Sequence, residues 1–262
     1  MPAAIEFRGV SFRTPQGRLL LDDISFNVEE GTITAILGRS GSGKTTLLRT
    51  VNRMVELAET SGGDVLVHGE SVQSADLIAL RRGIGYVIQE TGLFPHFSVE
   101  RNVGLVLEAE GCPREERLRR SHELLTTVGL EPASFAQRHP HQLSGGQRQR
   151  VGLARALAAE PKILLMDEPF GALDPLTRAE MQDMLRDLMR RLKKTVLLVT
   201  HHLDEALYLA DRIVVLSEGK LIASLDPSEF MNSRVPEIAS YVRALHRDNK
   251  DAAGQGAEAG RA

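Results

Sequence analysis

Gly38-Arg39-Ser40-Gly41-Ser42-Gly43-Lys44-Thr45 stands between the apolar, β-branched run Thr32 to Leu37 and a stretch of helical spacing through Leu47, Leu48 and Val51. A glycine loop between strand and helix, closed by lysine and a hydroxyl residue, fits the pattern GxxxxGK[ST] in the context that pattern requires. Glycines let consecutive backbone N–H groups turn inward round a polyphosphate, and the following helix adds the positive end of its dipole. Gly38 to Thr45, with Thr46 behind them, are therefore expected to cradle the phosphates of a nucleotide such as ATP. Lys44 is placed to bridge its β- and γ-phosphates and the Thr45 hydroxyl to ligate Mg2+. Taken alone, the segment also reads as a flexible glycine turn before a helix.

Upstream, Ile5 to Phe12 and Leu19 to Val28 are two apolar runs separated by the turn-forming Pro15-Gln16-Gly17, which predicts an N-terminal antiparallel sheet. Downstream, Leu77 to Leu130 reads as a self-contained helical lobe, with Pro113 at a first helical position, Leu118, Leu125 and Val128 near one face, and Gly129 as its C-terminal cap. A helix over about 146–159, the strand Ile163 to Met166 and a helix after Asp174-Pro175 follow. On the last of these Met181, Met184, Leu185, Leu188, Met189 and Leu192 recur at spacings of three and four, which predicts one buried stripe. Strand Thr195 to Thr200, a short helix near Asp204 to Ala210 and a hairpin at Glu218-Gly219 complete an alternating pattern that implies a mostly parallel sheet. The fold class is thus α/β, with an antiparallel β subdomain at the N-terminus and a helical insertion at about 90–160. Residues 1–245 read as one domain and 246–262, rich in Gly, Ala and charge, as a disordered tail.

The strand Ile163-Leu164-Leu165-Met166 runs directly into Asp167-Glu168. Asp167 is expected to hold Mg2+, directly or through water, and Glu168 to polarise an attacking water as general base. In isolation the same hexapeptide also reads as an acidic turn capping a strand. His201 follows another apolar strand and falls at the carboxyl edge of the sheet, where open α/β sheets bind ligands. From position alone a catalytic and a structural role stand level. His202, His139 and His141 lack the cysteines or carboxylates of a zinc site and read as structural or surface residues.

The chain has 262 residues, 42% of them hydrophobic, and a formal net charge of −3. Such a balance supplies no overall basic field for nucleic acid. Cys112 is the single cysteine, which excludes an intrachain disulfide. The start Met-Pro-Ala-Ala-Ile-Glu lacks signal-peptide character, so the cytoplasm is the expected compartment. No apolar run approaches the roughly 20 residues that span a bilayer.

Leu143-Ser144-Gly145-Gly146-Gln147 is a second glycine loop opening a helix, without the lysine of a self-sufficient phosphate site. Here the chain resembles the ABC ATPases, whose LSGGQ signature binds the γ-phosphate of ATP held by the opposite subunit. The resemblance covers about residues 4–225, with Gln89 matching the Q-loop, Ala172-Leu173-Asp174 the D-loop and His201 the switch histidine. It implies a P-loop NTPase core, ATP and Mg2+ as ligands, and catalytic roles for Lys44, Gln89, Glu168 and His201. Thr45, Gln89 and Asp167 would face the metal. Ser144, Gly145, Gly146, Gln147 and Asp174 would act across a homodimer or a pair of ATPase subunits. The segment Glu90 to His96 would meet a transmembrane permease, with Phe94 and Phe97 either as anchors there or as core of the lobe.

Two positions depart from the pattern. The aromatic residue that stacks on adenine in this family falls at Thr14 by spacing; Phe12, two residues earlier, is the alternative ring, although its strand position is expected to turn it toward the core, and weak discrimination between ATP and GTP is expected. His202 stands where many members carry aspartate. The wording of Leu47 to Met54 and of Ile84 to His96 is similar to importers of glycine betaine, choline or proline. That likeness implies a substrate-binding protein and a peripheral position on the cytoplasmic face of the inner or plasma membrane. About 35 residues follow Leu225, too few for the tandem regulatory domains many such subunits carry. An exporter or lipid-transport ATPase, or a non-transport member of the family, is the alternative reading.

Overall fold

The computed structural model describes residues 2–57, 62–89 and 91–245. The proposed tail at 246–262 and Glu90 lie outside the described residues. In chain order the strands are β1 (Ala3–Arg13), β2 (Leu19–Glu29), β3 (Ile33–Leu37), β4 (Gly62–Val67), β5 (Glu70–Ser71), β6 (Ile84–Val87), β7 (Ile163–Asp167), β8 (Thr195–Thr200), β9 (Arg212–Ser217) and β10 (Lys220–Leu225). The helices are α1 (Lys44–Val51), α2 (Leu77–Arg82), α3 (Val99–Ala109), α4 (Arg114–Thr127), α5 (Pro132–Phe135), α6 (Gly145–Leu157), α7 (Pro175–Leu192), α8 (Leu203–Leu209) and α9 (Pro227–Met231), and residues 236–245 are helical as well.

Two sheets result. β2-β1-β4-β5 is antiparallel, and Phe7 on β1 stacks on Phe26 of β2 with ring centroids 4.5 Å apart. The second sheet runs β10-β9-β3-β8-β7-β6, parallel from β9 to β6 with β10 antiparallel at one edge. Every residue of β3, β7 and β8 is buried, as a parallel sheet covered on both faces requires. Alternate side chains divide between two cores: Leu37, Met166 and Leu198 face the helices α6, α7 and α8, whereas Ile36, Leu165 and Leu197 face α1 and the antiparallel sheet. Each such side chain contributes about 1.5–3 kcal/mol on burial.

The helical lobe packs α3 and α4 against each other and against α6. It begins later than Leu77, because α2 is followed by β6, which pairs with β7 inside the parallel sheet. β6 is short, and Gly85 interrupts its apolar run for a packing reason: a β-carbon there would lie 2.4 Å from the Ala156 carbonyl oxygen. Pro113 precedes the first residue of α4 rather than opening it, and Gly129, with φ 75°, ends the segment as expected. The stripe on α7 is buried through Met181, Leu185, Leu188 and Met189, but Leu192 is 37% exposed. Leu192 occupies the last turn, where Lys193 takes a left-handed conformation and leads the chain away from the core.

Register places the carboxyl ends of three strands at one level. Leu37 lies opposite Thr200, and Asp167 opposite Val199, so Gly38, Glu168 and His201 leave the sheet side by side.

Candidate functional site

The loop after β3 is fixed by close approach. Gly43 has φ 97°, and a β-carbon there would sit 2.8 Å from the Leu20 carbonyl oxygen and 2.7 Å from Leu21 Cδ2 on β2. Only glycine fits. Lys44 opens α1 and is 5% exposed; its Nζ donates to the carbonyl oxygens of Gly38 at 2.8 Å and Arg39 at 3.0 Å. Burial pulls the Lys44 ammonium down from its ordinary value, with Glu168 and Asp167 opposing. The buried Ser42 hydroxyl has no hydrogen-bond partner. A cationic amine held by loop carbonyls and an orphaned hydroxyl make a cradle whose polar groups suit an anionic ligand.

Thr45 Oγ1 donates to Asp167 Oδ1 at 2.8 Å. The other carboxylate oxygen accepts from Arg49 Nη2 at 3.3 Å and from the Tyr86 hydroxyl at 3.4 Å, while Arg49 Nε donates to that hydroxyl at 3.1 Å. A hydroxyl beside a carboxylate is a hard oxygen donor set of the kind Mg2+ takes, with phosphate and water completing the shell. Among the described residues no group of three or more His, Cys, Asp or Glu side chains is arranged to hold a metal ion, so the ion would depend on the nucleotide for part of its coordination.

Glu168 has φ 47°, a left-handed conformation that a β-carbon disfavours and that tends to be held at functional positions. Its amide donates to the Val199 carbonyl at 3.0 Å, and its Oε2 lies 3.1 Å from His201 Nδ1. A β-carbon on Gly171 would lie 3.4 Å from Gln89 Nε2 and 3.8 Å from Glu168 Oε2, so the Gln89 amide and the Glu168 carboxylate approach the same spot. The sheet edge therefore gathers Lys44, Thr45, Gln89, Asp167, Glu168 and His201. His202 stacks beside His201 with centroids 4.0 Å apart, and its burial, then the neighbouring His201 and Arg178, lower its basicity.

The second glycine loop stands elsewhere. Ser144 Oγ accepts from the Gln147 amide at 3.2 Å, and Gln147 Oε1 accepts from the Ser144 amide at 2.9 Å, a reciprocal cap on α6. β-Carbons on Gly145 and Gly146 would lie 3.5 Å from Leu173 Cδ2 and 2.5 Å from Thr177 Cγ2, which seats the loop on the turn before α7. Asp174 caps α7 by accepting from the Thr177 amide at 3.1 Å, and hydrogen bonds from Thr177 hold its carboxyl below the ordinary range. None of residues 144–147 is among the described residues that line the cavity beside Arg39 to Ser42.

Sequence reasoning missed three contributors. Arg49 lies one helical turn beyond Thr45, a spacing that could have flagged it. Tyr86 came from the strand that went unrecognised. Glu205, 2% exposed, accepts from Thr200 Oγ1 at 2.6 Å and lies 3.8 Å from Arg178 Nε, whose guanidinium also donates to the Leu173 carbonyl at 3.2 Å. Thr200 and Leu173, next to His201 and Asp174, are thereby tied together. At the N-terminus Phe12 packs against the core, as expected, and the Thr14 hydroxyl accepts from the Arg18 amide at 3.3 Å, closing the β1–β2 turn.

The family model described as "ABC transporter" matches residues 21–171. The chain belongs to the ABC transporter family. Similar members include the osmoprotectant import ATP-binding protein OsmV of Salmonella typhimurium, 44% identical over 223 residues that make up 85% of this chain and 58% of that one. The glycine betaine/carnitine/choline transport ATP-binding protein OpuCA of Bacillus subtilis is 44% identical over 222 residues, 85% of this chain and 57% of that one. This chain thus spans little more than half the length of these ABC relatives. Among solved ABC structures, the dimeric post-hydrolysis state of the ATP-binding cassette MJ0796 bound to ADP and Pi matches with a TM-score of 0.75 at 33% identity, covering 85% of this chain and 98% of that one.

Proposed function

We propose that this chain hydrolyses ATP as the motor subunit of a transporter, in a head-to-tail dimer that binds nucleotide between subunits. The observation that carries the proposal is the division of the chemistry: Lys44, Thr45, Asp167, Glu168 and His201 meet at one sheet edge, while the Ser144 helix start lies apart on the α7 turn. In this reading Gly38 to Thr46 wrap the phosphates, with Lys44 moving from the loop carbonyls to the β- and γ-phosphates. Thr45 and Asp167, assisted by Gln89, would hold Mg2+, which would supply positive charge to offset that on the phosphates. Glu168 takes a proton from the attacking water and His201 orients that carboxylate and the γ-phosphate. Ser144, Gly145 and Gly146 of a second copy add N–H donors and a helix dipole, with Gln147 keeping the loop in shape and Asp174 bordering the shared face.

The relatives' named cargo, osmoprotectants in one and glycine betaine, carnitine and choline in the other, supports an osmoprotectant such as glycine betaine or choline; proline as cargo and uptake with a substrate-binding protein belong to the same proposal. Among the described residues no helix is long and apolar enough to cross a membrane. In the proposed scheme translocation is the work of permease subunits, with this chain peripheral on their cytoplasmic face. Phe94 is 41% exposed and stacks on Phe97 at 5.3 Å, which supports Phe94 as the anchor for a permease helix. Light scattering of Glu168→Gln with and without Mg-ATP tests the scheme: an ATP-dependent dimer is expected. A monomer whose wild-type form hydrolyses ATP at a rate independent of protein concentration overturns it.

A further inference from the structure

The phosphate loop borders a cavity of about 690 Å3, within the size range of small-molecule sites. Arg39 to Ser42 form its floor, and Leu19 and Leu20, at the start of β2, one wall. A further wall comes from the helical segment at 236–245, which presents Glu237, Ser240 and Tyr241. Among the described lining residues Tyr241 is the only aromatic. The position expected to supply a base-stacking ring is Thr14, whose hydroxyl is engaged in closing its own turn, and Phe12 is packed against the core. A nucleotide with its phosphates on the loop therefore has no ring to meet from the β1–β2 side, while an amphipathic ring stands in the cavity that adjoins the loop.

We propose that Tyr241, from the C-terminal helical segment, supplies the aromatic surface on which the nucleotide base rests, in place of the missing ring at Thr14. The ring is half-buried and packs against the core on the side of the parallel sheet that carries α6, α7 and α8. Tyr241 and Arg39, the first variable residue of the phosphate loop, line the same cavity, and burial pushes the Tyr241 phenol up while the Arg39 guanidinium opposes. Leu20 supplies an apolar surface in the same cavity. Stacking is tolerant of base identity because every base presents a π-face, so the contact raises affinity for ATP and GTP alike. The C-terminal segment is then part of the nucleotide site, and ordering of the nucleotide and of that helix are linked.

The inference rests on the nucleotide-binding reading, and inorganic tripolyphosphate separates the two because it occupies the loop without a base. Equilibrium binding of Mg-ATP and Mg-tripolyphosphate is measured on the wild-type chain and on Tyr241→Ala, Tyr241→Phe and Tyr241→Trp. Tyr241→Ala is expected to weaken ATP about tenfold or more and to leave tripolyphosphate within about twofold, with Tyr241→Phe retaining ATP. The chain has no tryptophan, so Tyr241→Trp carries a single reporter whose emission ATP should quench and tripolyphosphate should not. An unchanged ATP affinity in Tyr241→Ala, or an equal loss of ATP and tripolyphosphate, overturns the proposal; equal loss would mean the ring only braces the loop. A wild-type chain that binds tripolyphosphate but gains nothing from the base refutes Tyr241 and leaves the phosphate site intact. Failure to bind either ligand refutes both.

Discussion

His201 Nδ1 lies 3.1 Å from Glu168 Oε2, joining the residue after β8 to the residue after β7 across one strand spacing. Glu168 cannot swing freely, because its backbone is held at φ 47° by the bond from its amide to Val199. The pair should therefore act as one unit. Glu168→Gln is expected to lower single-turnover hydrolysis by about 10²–10⁴-fold with little change in ATP affinity. Adding His201→Ala to it should lower the rate hardly further, although His201→Ala alone should cost about 10²-fold or more. Multiplicative losses in the double variant would show two independent roles.

Asp167 receives Thr45, Arg49 and Tyr86, so its carboxylate is oriented before a metal binds. Asp167→Asn keeps the size and loses the charge. The Mg2+ concentration for half-maximal ATP binding should rise about 10–100-fold, while ATP binding in EDTA should stay near that of the wild type. An unchanged Mg2+ requirement would place the metal elsewhere.

Burial pushes the Glu205 carboxyl above its ordinary value, with the Thr200 hydrogen bond pulling the other way. Below the ordinary glutamate range both folded and unfolded chains are protonated there, and the group contributes its full stability. As pH rises the unfolded chain ionises first, and that stability is lost until the folded pKa is passed. Glu205→Gln does not titrate and can keep the acceptor for Thr200. Thermal melts from pH 4.5 to 8 should show the variant gaining on the wild type as pH rises. A variant that loses ground to the wild type as pH rises would mean that Arg178, 3.8 Å away, controls the group instead.

A β-carbon on Gly146 would meet Thr177 Cγ2 at 2.5 Å, too close for either to stay. Gly146→Ala should push the start of α6 off the α7 turn. In the shared-site scheme that displaces the donors offered to a second copy and leaves the subunit's own phosphate loop untouched. Mg-ATP affinity of the dilute monomer should hold, while ATP-dependent dimers weaken about tenfold or more. Thr177→Ser in the same background removes the clashing methyl and should restore dimers.

What could be read from the sequence follows from how local each signal is. Thr195 to Thr200 and Ile163 to Met166 announced themselves because a strand buried on both faces is apolar throughout. β6 did not, because Gly85 and the half-buried Tyr86 break the run, and both serve contacts made far away in sequence: Gly85 with Ala156, Tyr86 with Asp167. The same division holds at the site. Lys44, Thr45, Asp167 and Glu168 sit in contiguous motifs and Arg49 follows Thr45 by one helical turn, whereas Tyr86 and Glu205 reach the site, and Tyr241 its cavity, only through strand register and helix docking. The buried stripe of α7 was legible until its last turn, where Leu192 escapes because the helix ends.

Asn102 on α3 is fully buried and holds the loop that presents Phe94. Its Oδ1 accepts from the Phe94 amide at 2.8 Å, and its Nδ2 lies 3.1 Å from the carbonyl oxygen of Phe94, 3.2 Å from that of Phe97 and 3.1 Å from that of Ser98. One side-chain amide thus gathers the segment: its oxygen takes the Phe94 amide, and its two N–H hydrogens are shared among three carbonyls, of which that of Phe94 also accepts from the Phe97 amide and that of Ser98 from the Asn102 amide. Asn102→Leu preserves size and removes the partner of the Phe94 amide and the Phe97 carbonyl, at a cost of about 1–3 kcal/mol. The melting temperature should fall accordingly, and limited proteolysis should cut near residues 94–98 first. Because Lys44, Asp167 and Glu168 lie at the carboxyl edge of the parallel sheet and not on this lobe, hydrolysis by the detached subunit should persist while stimulation by permease subunits is lost. Hydrolysis that fails together with the stimulation would mean that the 94–98 loop also shapes the catalytic edge through Gln89, whose carbonyl accepts from Gln149 of α6 at 2.9 Å.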